Sequence, residues 1–552
     1  MFPYPFGFLQ SGDAVDPAFI MKINTNSTSN FKVPCTGTGY NYDVDWGDGS
    51  SDTGQTTSIT HTYGSDGDYI VTITGTFPRI YFNNGSEKLK LQEIQNWGTG
   101  AWTTMDRAFY GCSNMTITAT DTADFSALGG VVASLAFYYT FGNCSSMTAI
   151  PNCETWLSGQ PVGMPSMFYG CSGLTTIDVA NWDVSNVTDL NATFRACTSL
   201  TSLDVSNWNT SSVTGNGFWR VFNSCYALPS LDVSGWDVSG VTNLQEMFED
   251  CRALTSLDLS SWNVSNITSF SEIFRDCNVL TTPGDLSSWN MSSATNLNAF
   301  LYNSPEVTTI GNVDGWNVSN VTNMQGAFYN CDKLILNVPS WNTSSVTNFE
   351  DTFLAVSTGV GSITGYNSWN VSNSTTFREC FYGASSGNVA TLPTNWDMRS
   401  ATTFFRTFRQ WDVITGSIDM STIKWDSTCT NMWDMFRNNT GLTDITFGSN
   451  NDFSGVTTMQ EMFRSCSALT DITWDAGLDL SALTNATNMV LGGKMSTTSY
   501  NLFLIALDTT GSGTPGSLNA GTSTYSAAPS AAATAHASLN TKGWAISDGG
   551  PV

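Results

Sequence analysis

Apolar and polar positions follow one pattern through most of the chain. In Leu257-Asp258-Leu259 a polar residue stands between two apolar ones, as in a short half-buried strand. Elsewhere in the pattern, apolar residues spaced as i, i+3, i+4 and i+7 form one helical face, as at Leu244, Met247, Phe248 and Cys251. A Thr before that face and a Gln or Glu three residues later give a capping-box signature. The pairs are Thr242 with Gln245, Thr322 with Gln325, Thr347 with Glu350, and Thr457 with Gln460. Each unit is therefore predicted to contain a strand, a turn and a short helix.

This unit repeats every 25 to 28 residues. A Trp followed by Asn or Asp marks it at Trp182, Trp208, Trp236, Trp262, Trp289, Trp316, Trp341, Trp369 and Trp396. A Phe recurs in step, from Phe168 to Phe463, with weaker copies at Phe109 and Phe141. One unit cannot bury its own apolar face, so neighbouring units must stack. The sequence predicts an α/β solenoid, a leucine-rich-repeat-like array of about fourteen strand-turn-helix coils, preceded by a small all-β sandwich.

The motif of one unit carries a family resemblance. Its fixed positions are Leu254, Leu257, Asp258, Leu259, Trp262, Asn263, Val264, Ile267, Phe274 and Cys277. The array resembles BspA-type leucine-rich-repeat surface proteins over roughly residues 85–490, most closely up to Cys277 and less so after Ser340. This resemblance implies a role in extracellular adhesion or host interaction and no catalysis.

A second motif precedes the array. The run Tyr42-Asp43-Val44-Asp45-Trp46-Gly47-Asp48-Gly49, followed by His61-Thr62-Tyr63, resembles a polycystic-kidney-disease-type (PKD) β-sandwich. Such modules usually act as spacers in surface proteins. We expect an N-terminal attachment arm over residues 1–18, the PKD-like domain over 19–84, the solenoid over 85–490 and a C-terminal cap over 491–552. The cap contains two helix candidates, Tyr500 to Leu507 and Ala527 to Leu539.

Charge and composition exclude several classes of protein. The chain has 46 acidic against 20 basic residues, a formal net charge of −26, which disfavours nucleic acid as a partner. No apolar run approaches the ~20 residues of a membrane helix, so no membrane insertion is expected. There are only two histidines, His61 and His536, and no G-x-S-x-G, Walker A or H-E-x-x-H motif. The chain is therefore not expected to be an enzyme.

Two side-chain columns are expected to be structural. Nine cysteines follow the repeat Phe by three residues, and they should form a buried, reduced column, with some disulfide or redox role as the alternative. This structural ladder comprises Cys171, Cys197, Cys225, Cys251 and Cys277 with Trp182, Trp208, Trp236 and Trp262. Four tryptophans off the repeat register are candidates for exposed contacts: Trp102, Trp219, Trp411 and Trp433.

An acidic column is the main candidate binding site. Side chains four residues before the repeat Trp should point outward from the concave face of the sheet. These positions hold Asp178, Asp204, Asp232, Asp258, Asp285, Asn312 and Asn337. Three explanations remain open: a solvated face whose Asp side chains bond to local turns, a ligand-binding face, or bound Ca²⁺. No residue is assigned as a metal ligand, and no other cofactor is expected. In the PKD-like domain Asp43, Asp45, Asp48 and Asp52 fit a turn better than a calcium loop, because their spacing departs from the EF-hand pattern.

These observations predict a non-enzymatic surface-recognition protein. No basic residue precedes Lys22 and no secretory signal is visible, so the first hypothesis is a phage virion fibre or capsid-decoration protein on the virion surface. It would bind a host cell-surface glycan or protein through the solenoid, and other virion proteins through Phe2, Tyr4, Phe6 and Phe8 of the arm. The alternatives are an extracellular adhesin on a bacterial cell surface and a purely structural virion component.

Overall fold

The computed structural model describes residues 18–25, 27–128, 135–157, 162–356, 362–384, 392–411, 413–511 and 514–552. The chain divides into two compact units, residues 1–241 and 242–552. The architecture is a β-solenoid of about 16 turns with an N-terminal β-sheet region. The predicted solenoid is therefore confirmed, whereas the count of about fourteen coils is too low and the helix in each coil is wrong.

The first unit begins with eight strands. They are β1 (Phe19–Asn24), β2 (Asn30–Lys32), β3 (Asn41–Asp45), β4 (Ser51–Gln55), β5 (Thr60–Thr62), β6 (Asp68–Thr76), β7 (Leu91–Asn96) and β8 (Thr116–Ile117). Strands β2 and β5 pair with each other, and the other six form one sheet in the order β4-β3-β6-β1-β7-β8. The tight turn after Trp46 requires glycine, because Gly47 has a φ of 77° and a Cβ there would lie 2.4 Å from the Ile70 carbonyl oxygen.

The PKD-like part shares a sheet with the start of the solenoid. Strand β1 pairs antiparallel with β6 on one side and with β7 on the other, and β7 pairs parallel with β8. Beside this junction Lys90 is buried, and its ammonium group donates to the Asn30 carbonyl oxygen at 3.1 Å and lies 2.9 Å from Glu87 Oε2. The junction is thus a continuous hydrogen-bonded sheet with a buried ion pair.

The second unit contains the remaining named elements. Its strands are β9 (Ile335–Asn337), β10 (Ser362–Thr364), β11 (Gly416–Asp419), β12 (Leu442–Thr446), β13 (Asp471–Thr473), β14 (Asn485–Ala486), β15 (Ser517–Asn519) and β16 (Ala545–Ser547). They pair in parallel as β9-β10, β11-β12-β13 and β14-β15-β16. A 3₁₀ helix spans Tyr366–Ser368, and the α-helices are α1 (Thr497–Thr510) and α2 (Ala531–Thr541).

The two α-helices lie where the C-terminal sequence predicted them. Each begins at a serine whose hydroxyl accepts a backbone N–H three residues later: Ser496 from Ser499 at 3.2 Å and Ser530 from Ala533 at 3.1 Å. The helices pack against each other. Neither helix is long and apolar enough to cross a bilayer, and the same holds for every helix in the described part of the chain.

The segment around the repeat Phe is a run of turns. In residues 244–251, Glu246 and Asp250 have positive φ values of 56° and 60°, which an α-helix does not tolerate. The N–H groups of Met247 and Cys251 donate to the carbonyl oxygens three residues earlier in the chain. The N–H groups of Glu246, Phe248 and Asp250 donate to carbonyl groups of the next coil, at 2.8–3.1 Å. This arrangement, here called the turn segment, replaces the predicted helix because half of its hydrogen bonds leave the segment.

The predicted capping boxes have a different role. Thr322, Thr347 and Thr457 do not cap a helix; their hydroxyl groups donate to a threonine carbonyl oxygen one coil earlier, at 2.9–3.2 Å. The residue after each threonine takes the turn-forming role, as when the Gln325 N–H donates to Asn323 Oδ1 at 3.0 Å. The threonines thus form a hydrogen-bonded column that links neighbouring coils within the second unit.

Candidate functional site

The acidic column is exposed in both units. In the first unit it contains Asp178, Asp204 and Asp232, and in the second Asp258, Asp285, Asn312 and Asn337. Each of these side chains is exposed, and the apolar neighbours of Asp258 are buried, Leu257 at 5% and Leu259 at 0% exposure. The column therefore presents one polar side chain per coil outside the buried core.

Local turn bonds hold most of these carboxylates. Oδ1 of Asp204 accepts the N–H and hydroxyl of Ser206 at 3.1 and 2.7 Å, and Asp258 binds Ser260 in the same way at 3.1 and 2.6 Å. The serine hydroxyl, followed by the serine N–H, lowers the pKa of Asp204 and Asp258 below the ordinary value. At neutral pH these carboxylates are ionised, and one oxygen of each is fixed by its own turn.

Other members of the column use the same kind of turn with weaker bonding. The Ser287 N–H donates to Asp285 Oδ1 at 3.0 Å, and the Asp314 N–H lies 3.4 Å from Asn312 Oδ1. Asn337 differs, because its Oδ1 accepts the Thr364 hydroxyl at 2.9 Å from the next coil. An asparagine can therefore replace the aspartate in this register without losing the acceptor that the turn requires.

The cysteines form a buried column of thiols. All thirteen cysteines are free, and those of the predicted ladder are at most 1% exposed. The thiol of Cys197 donates to the Phe168 carbonyl oxygen at 3.2 Å, and Cys225 and Cys277 make the corresponding bond at 3.2 and 3.1 Å. Burial raises the pKa of Cys225 to about 12, so this thiol is protonated and weakly nucleophilic at neutral pH.

In two coils that lack the cysteine, another donor takes its place. The Ser304 hydroxyl donates to the Phe274 carbonyl oxygen at 2.6 Å, and Asn439 Nδ2 donates to the Phe408 carbonyl oxygen at 2.8 Å. Ser304 follows Leu301 by three residues, so Leu301 occupies the repeat-Phe position in its coil and Phe300 lies one residue out of register. Ser304 and Asn439 thus keep the donor to the neighbouring coil, whereas Val356 and Ala384 occupy the same buried position without one.

The tryptophans of the repeat make an equivalent bond. Nε1 of Trp182, Trp208 and Trp236 donates to a carbonyl oxygen one coil earlier, at 2.7, 2.9 and 3.1 Å. The Trp208 ring lies nearly parallel to those of Trp182 and Trp236, with centroids 6.3 and 6.0 Å away. Trp262, in the second unit, is only 2% exposed. These rings are core residues and are not available to a ligand.

The four tryptophans outside the repeat register fall into two groups. Trp102 and Trp411 are buried, at 1% and 0% exposure, so the prediction of exposed contacts is wrong for both. Both pack in clusters of aromatic rings, Trp102 against Phe19 and Trp411 against Phe381. Trp433 is 37% exposed and Trp219 is half-buried. The rings of these last two are therefore not fully enclosed in the core.

The acids of the PKD-like domain serve its turns. Asp43 and Asp45 accept backbone N–H groups from Gly54 and Gly47, at 2.7 and 2.9 Å. Asp48 binds the Ser50 hydroxyl and lies 2.8 Å from His61 Nε2, and these two contacts lower the pKa of Asp48 to about 2. Asp52 accepts the Trp46 indole N–H at 2.9 Å. In the described ranges no group of three or more His, Cys, Asp or Glu could hold a metal ion.

The turn segments of the second unit carry a charged ladder that was not predicted from the sequence. Asp434 is buried, and Arg406, Arg409 and Arg437 lie 3.3–3.4 Å from its Oδ2. The ladder continues through further pairs of opposite charge, namely Arg378 with Glu350, Arg406 with Glu379, Arg437 with Glu461 and Arg464 with Glu461. The signal was present in the sequence, because most of these residues lie two residues before or one after the repeat Phe.

Not every carboxylate of these turn segments is balanced. Asp351 lies in the cluster formed by Glu350, Glu379 and Arg378, and burial raises its pKa to about 7, with a further contribution from the two glutamates. Burial likewise raises the pKa of Glu249, assisted by Glu246. The turn segments therefore contain carboxyl groups that resist ionisation.

The predicted arm residues Phe2, Tyr4, Phe6 and Phe8 lie outside the described residues.

Comparison with protein families identifies the two parts of the chain. Residues 135–228, 216–310, 303–421 and 394–502 match the family described as "Mycoplasma protein of unknown function, DUF285". These stretches overlap into residues 135–502, about two thirds of the chain, and the chain belongs to this family. Residues 21–79 match the PKD domain. The N-terminal PKD domain and the BspA-like repeats predicted from the sequence are thereby confirmed.

Two solved structures are similar to part of the chain. A leucine-rich cell surface protein from Faecalibacterium prausnitzii A2-165 is 14% identical and covers 73% of this chain and 88% of its own, with a TM-score of 0.23. The functional domain of InlJ from Listeria monocytogenes, which includes a cysteine ladder, is 13% identical and covers 59% of this chain and 75% of its own, with a TM-score of 0.16. No curated protein matches the chain.

Proposed function

We propose that this protein is a non-enzymatic surface-recognition protein whose solenoid binds a molecule on a cell surface. The acidic column carries the proposal. Its side chains are exposed once per coil, and the turn bonds of Asp204 and Asp258 keep their carboxylates ionised and fix one oxygen of each. A regular array of fixed charges favours a partner surface with complementary basic groups. The PKD domain and the BspA-like repeats support a role at a surface.

Cell binding by the full chain tests this proposal. The test variant carries Asp178→Asn, Asp204→Asn and Asp232→Asn, which remove the charge and retain the acceptor, as Asn312 does naturally. A matched control replaces Asp183 and Asp237 with Asn, because both accept a serine N–H in the same kind of turn at another register of the coil. Saturable binding that the test variant weakens and the control retains would support the acidic column. Equal binding by all three proteins would exclude the column as the contact surface.

For the setting, our first proposal is a phage virion. As a fibre or capsid-decoration protein, the chain would attach to other virion proteins through residues 1–18. The free state of all thirteen cysteines supports folding in a reducing compartment. Labelling purified virions with an antibody against the chain tests the setting, and deletion of residues 1–18 should abolish incorporation. Virions that carry no label, or that incorporate the deletion variant normally, would contradict it.

The second candidate setting is a bacterial cell surface. It is favoured by the PKD domain that adjoins the repeats, because such modules usually act as spacers in surface proteins. The antibody would then label intact bacteria of the source strain rather than phage particles. A purely structural virion component is the third candidate, and it would label virions while the protein shows no saturable binding to cells.

A further inference from the structure

A cavity of about 460 Å³ opens on the turn segments of the first unit. Its volume lies within the range of about 300–1,000 Å³ of small-ligand sites. Four aromatic residues line it, together with polar side chains. The cavity, here called the tyrosine pocket, is defined by Tyr138, Tyr139, Tyr169, Trp219, Asp189 and Arg195.

The aromatic residues form a pre-arranged wall. The ring centroid of Tyr139 lies 4.6 Å from that of Tyr138 and 5.6 Å from that of Tyr169, and both pairs pack edge to face. The Arg220 guanidinium lies 4.2 Å from the Trp219 ring centroid. In the described part of the chain, no hydrogen bond engages the hydroxyl groups of Tyr138, Tyr139 or Tyr169. The wall therefore offers apolar ring faces together with available hydroxyl groups.

The polar groups of the pocket have unused bonding capacity. Asp189 Oδ1 accepts the Asn191 N–H at 2.8 Å, and the described residues supply no cation to this carboxylate. Burial raises the pKa of Asp189. Trp219 lines the pocket with its ring, and its Nε1 is buried and not offered to a ligand. Arg195 donates from Nε to Asn223 Oδ1 at 3.2 Å and contacts the Tyr169 ring, which fixes its guanidinium.

This combination of groups matches the chemistry of a saccharide. A sugar ring presents apolar C–H faces that pack on aromatic rings, and its hydroxyl groups both donate and accept hydrogen bonds. Asp189 can accept from one hydroxyl, while the Arg195 guanidinium can donate to another. The hydroxyl groups of Tyr138, Tyr139 and Tyr169 can both donate and accept.

We infer that the tyrosine pocket binds one or a few sugar rings of a cell-surface glycan. The inference rests on the proposed recognition function and gives it a ligand class and a second contact point besides the acidic column. Stacking on the aromatic wall supplies the apolar contact. Asp189, Arg195 and the tyrosine hydroxyl groups select the hydroxyl pattern of the sugar.

The test uses the full chain on a printed array of neutral and acidic oligosaccharides, followed by titration calorimetry with the oligosaccharide that binds best. Trp219→Ala removes a stacking surface, and the isosteric Asp189→Asn replaces the carboxylate oxygen not bonded to Asn191 with an N–H donor. Each should weaken binding by about tenfold or more. Trp433→Ala is the matched control, since it truncates an exposed tryptophan of the second unit. Thermal unfolding of every variant identifies any that is misfolded, and Asp189→Asn keeps the test valid if Trp219→Ala does not fold.

The outcomes separate this inference from the proposed function. An array without specific binding, or equal losses in Trp433→Ala and the pocket variants, would overturn the saccharide site. Cell binding that is unaffected by Trp219→Ala and Asp189→Asn would also overturn it, while surface recognition would stand. If the wild-type chain binds no cells, the proposed function fails, whatever the array shows.

Discussion

Replacing Asp351 with asparagine should stabilise the protein, and only above mildly acidic pH. Asp351 lies at a φ of 57° beside Glu350 and Glu379, and its pKa is raised from 3.8 to about 7. The backbone should tolerate Asn, because Asn488 has a φ of 54° in another turn segment. The substitution therefore removes the ionisable group with little change in conformation.

The magnitude follows from the linkage between protonation and folding. A carboxyl group with a raised pKa binds its proton more tightly in the folded state than in the unfolded state. Its favourable contribution to the free energy of unfolding is therefore fully present below pH 3.8 and is lost as the pH rises through about 7. At full burial this shift would correspond to about 4 kcal/mol. Asp351 is partly exposed, and solvent screening reduces the expected gain at pH 8 to about 1–2 kcal/mol.

Urea unfolding at several pH values between 4 and 9 measures this effect. The free-energy difference between Asp351→Asn and the wild type should be near zero at pH 4 and should grow towards pH 8. Asp204→Asn is a control of opposite sign, because the pKa of Asp204 is lowered and its contribution is present above pH 3.8 and lost as the pH falls. A gain for Asp351→Asn that is independent of pH would refute the reasoning.

Three further predictions concern the repeat and its ions. Cys197→Ser should cost about 1 kcal/mol less stability than Cys197→Ala in thermal unfolding. A serine hydroxyl can still donate to the Phe168 carbonyl oxygen, as Ser304 does to Phe274. The reverse order would contradict the hydrogen-bonded column. Ala196→Gly should stabilise the protein by about 1 kcal/mol, since Ala196 has a φ of 59° where another coil has a glycine, and a loss of stability would show that the left-handed residue is not strained. EDTA should leave the melting temperature unchanged, whereas a fall would support Ca²⁺ at the acidic column.

Within the repeat register, the sequence was sufficient to predict which positions are buried, although it failed for Trp102 and Trp411 outside that register. Leu244, Met247, Phe248 and Cys251 are all at most 1% exposed, as their spacing indicated. The same spacing fits both an α-helix and a run of turns, so periodicity alone could not distinguish the two backbones. The deciding signal was the position two residues after the repeat Phe, which often holds a residue that tolerates positive φ, such as Gly170, Asp250, Asn330 or Gly383.

The candidate sites were predictable to different degrees. The exposure of the acidic column follows from alternation within one coil, because Asp258 lies between two buried leucines. The tyrosine pocket could not be predicted in this way, since Tyr138 and Trp219 are distant in sequence and meet only when coils stack. The charged ladder around Asp434 has the same origin, with Arg406 and Asp434 in different coils.

The most direct test of surface recognition is equilibrium binding of the labelled full chain to intact bacterial and animal cells. We expect saturable binding to at least one cell type. The combined Asp178→Asn, Asp204→Asn and Asp232→Asn variant should weaken that binding, while the Asp183→Asn, Asp237→Asn control should retain it. Absence of saturable binding to any of the cells would contradict the central claim.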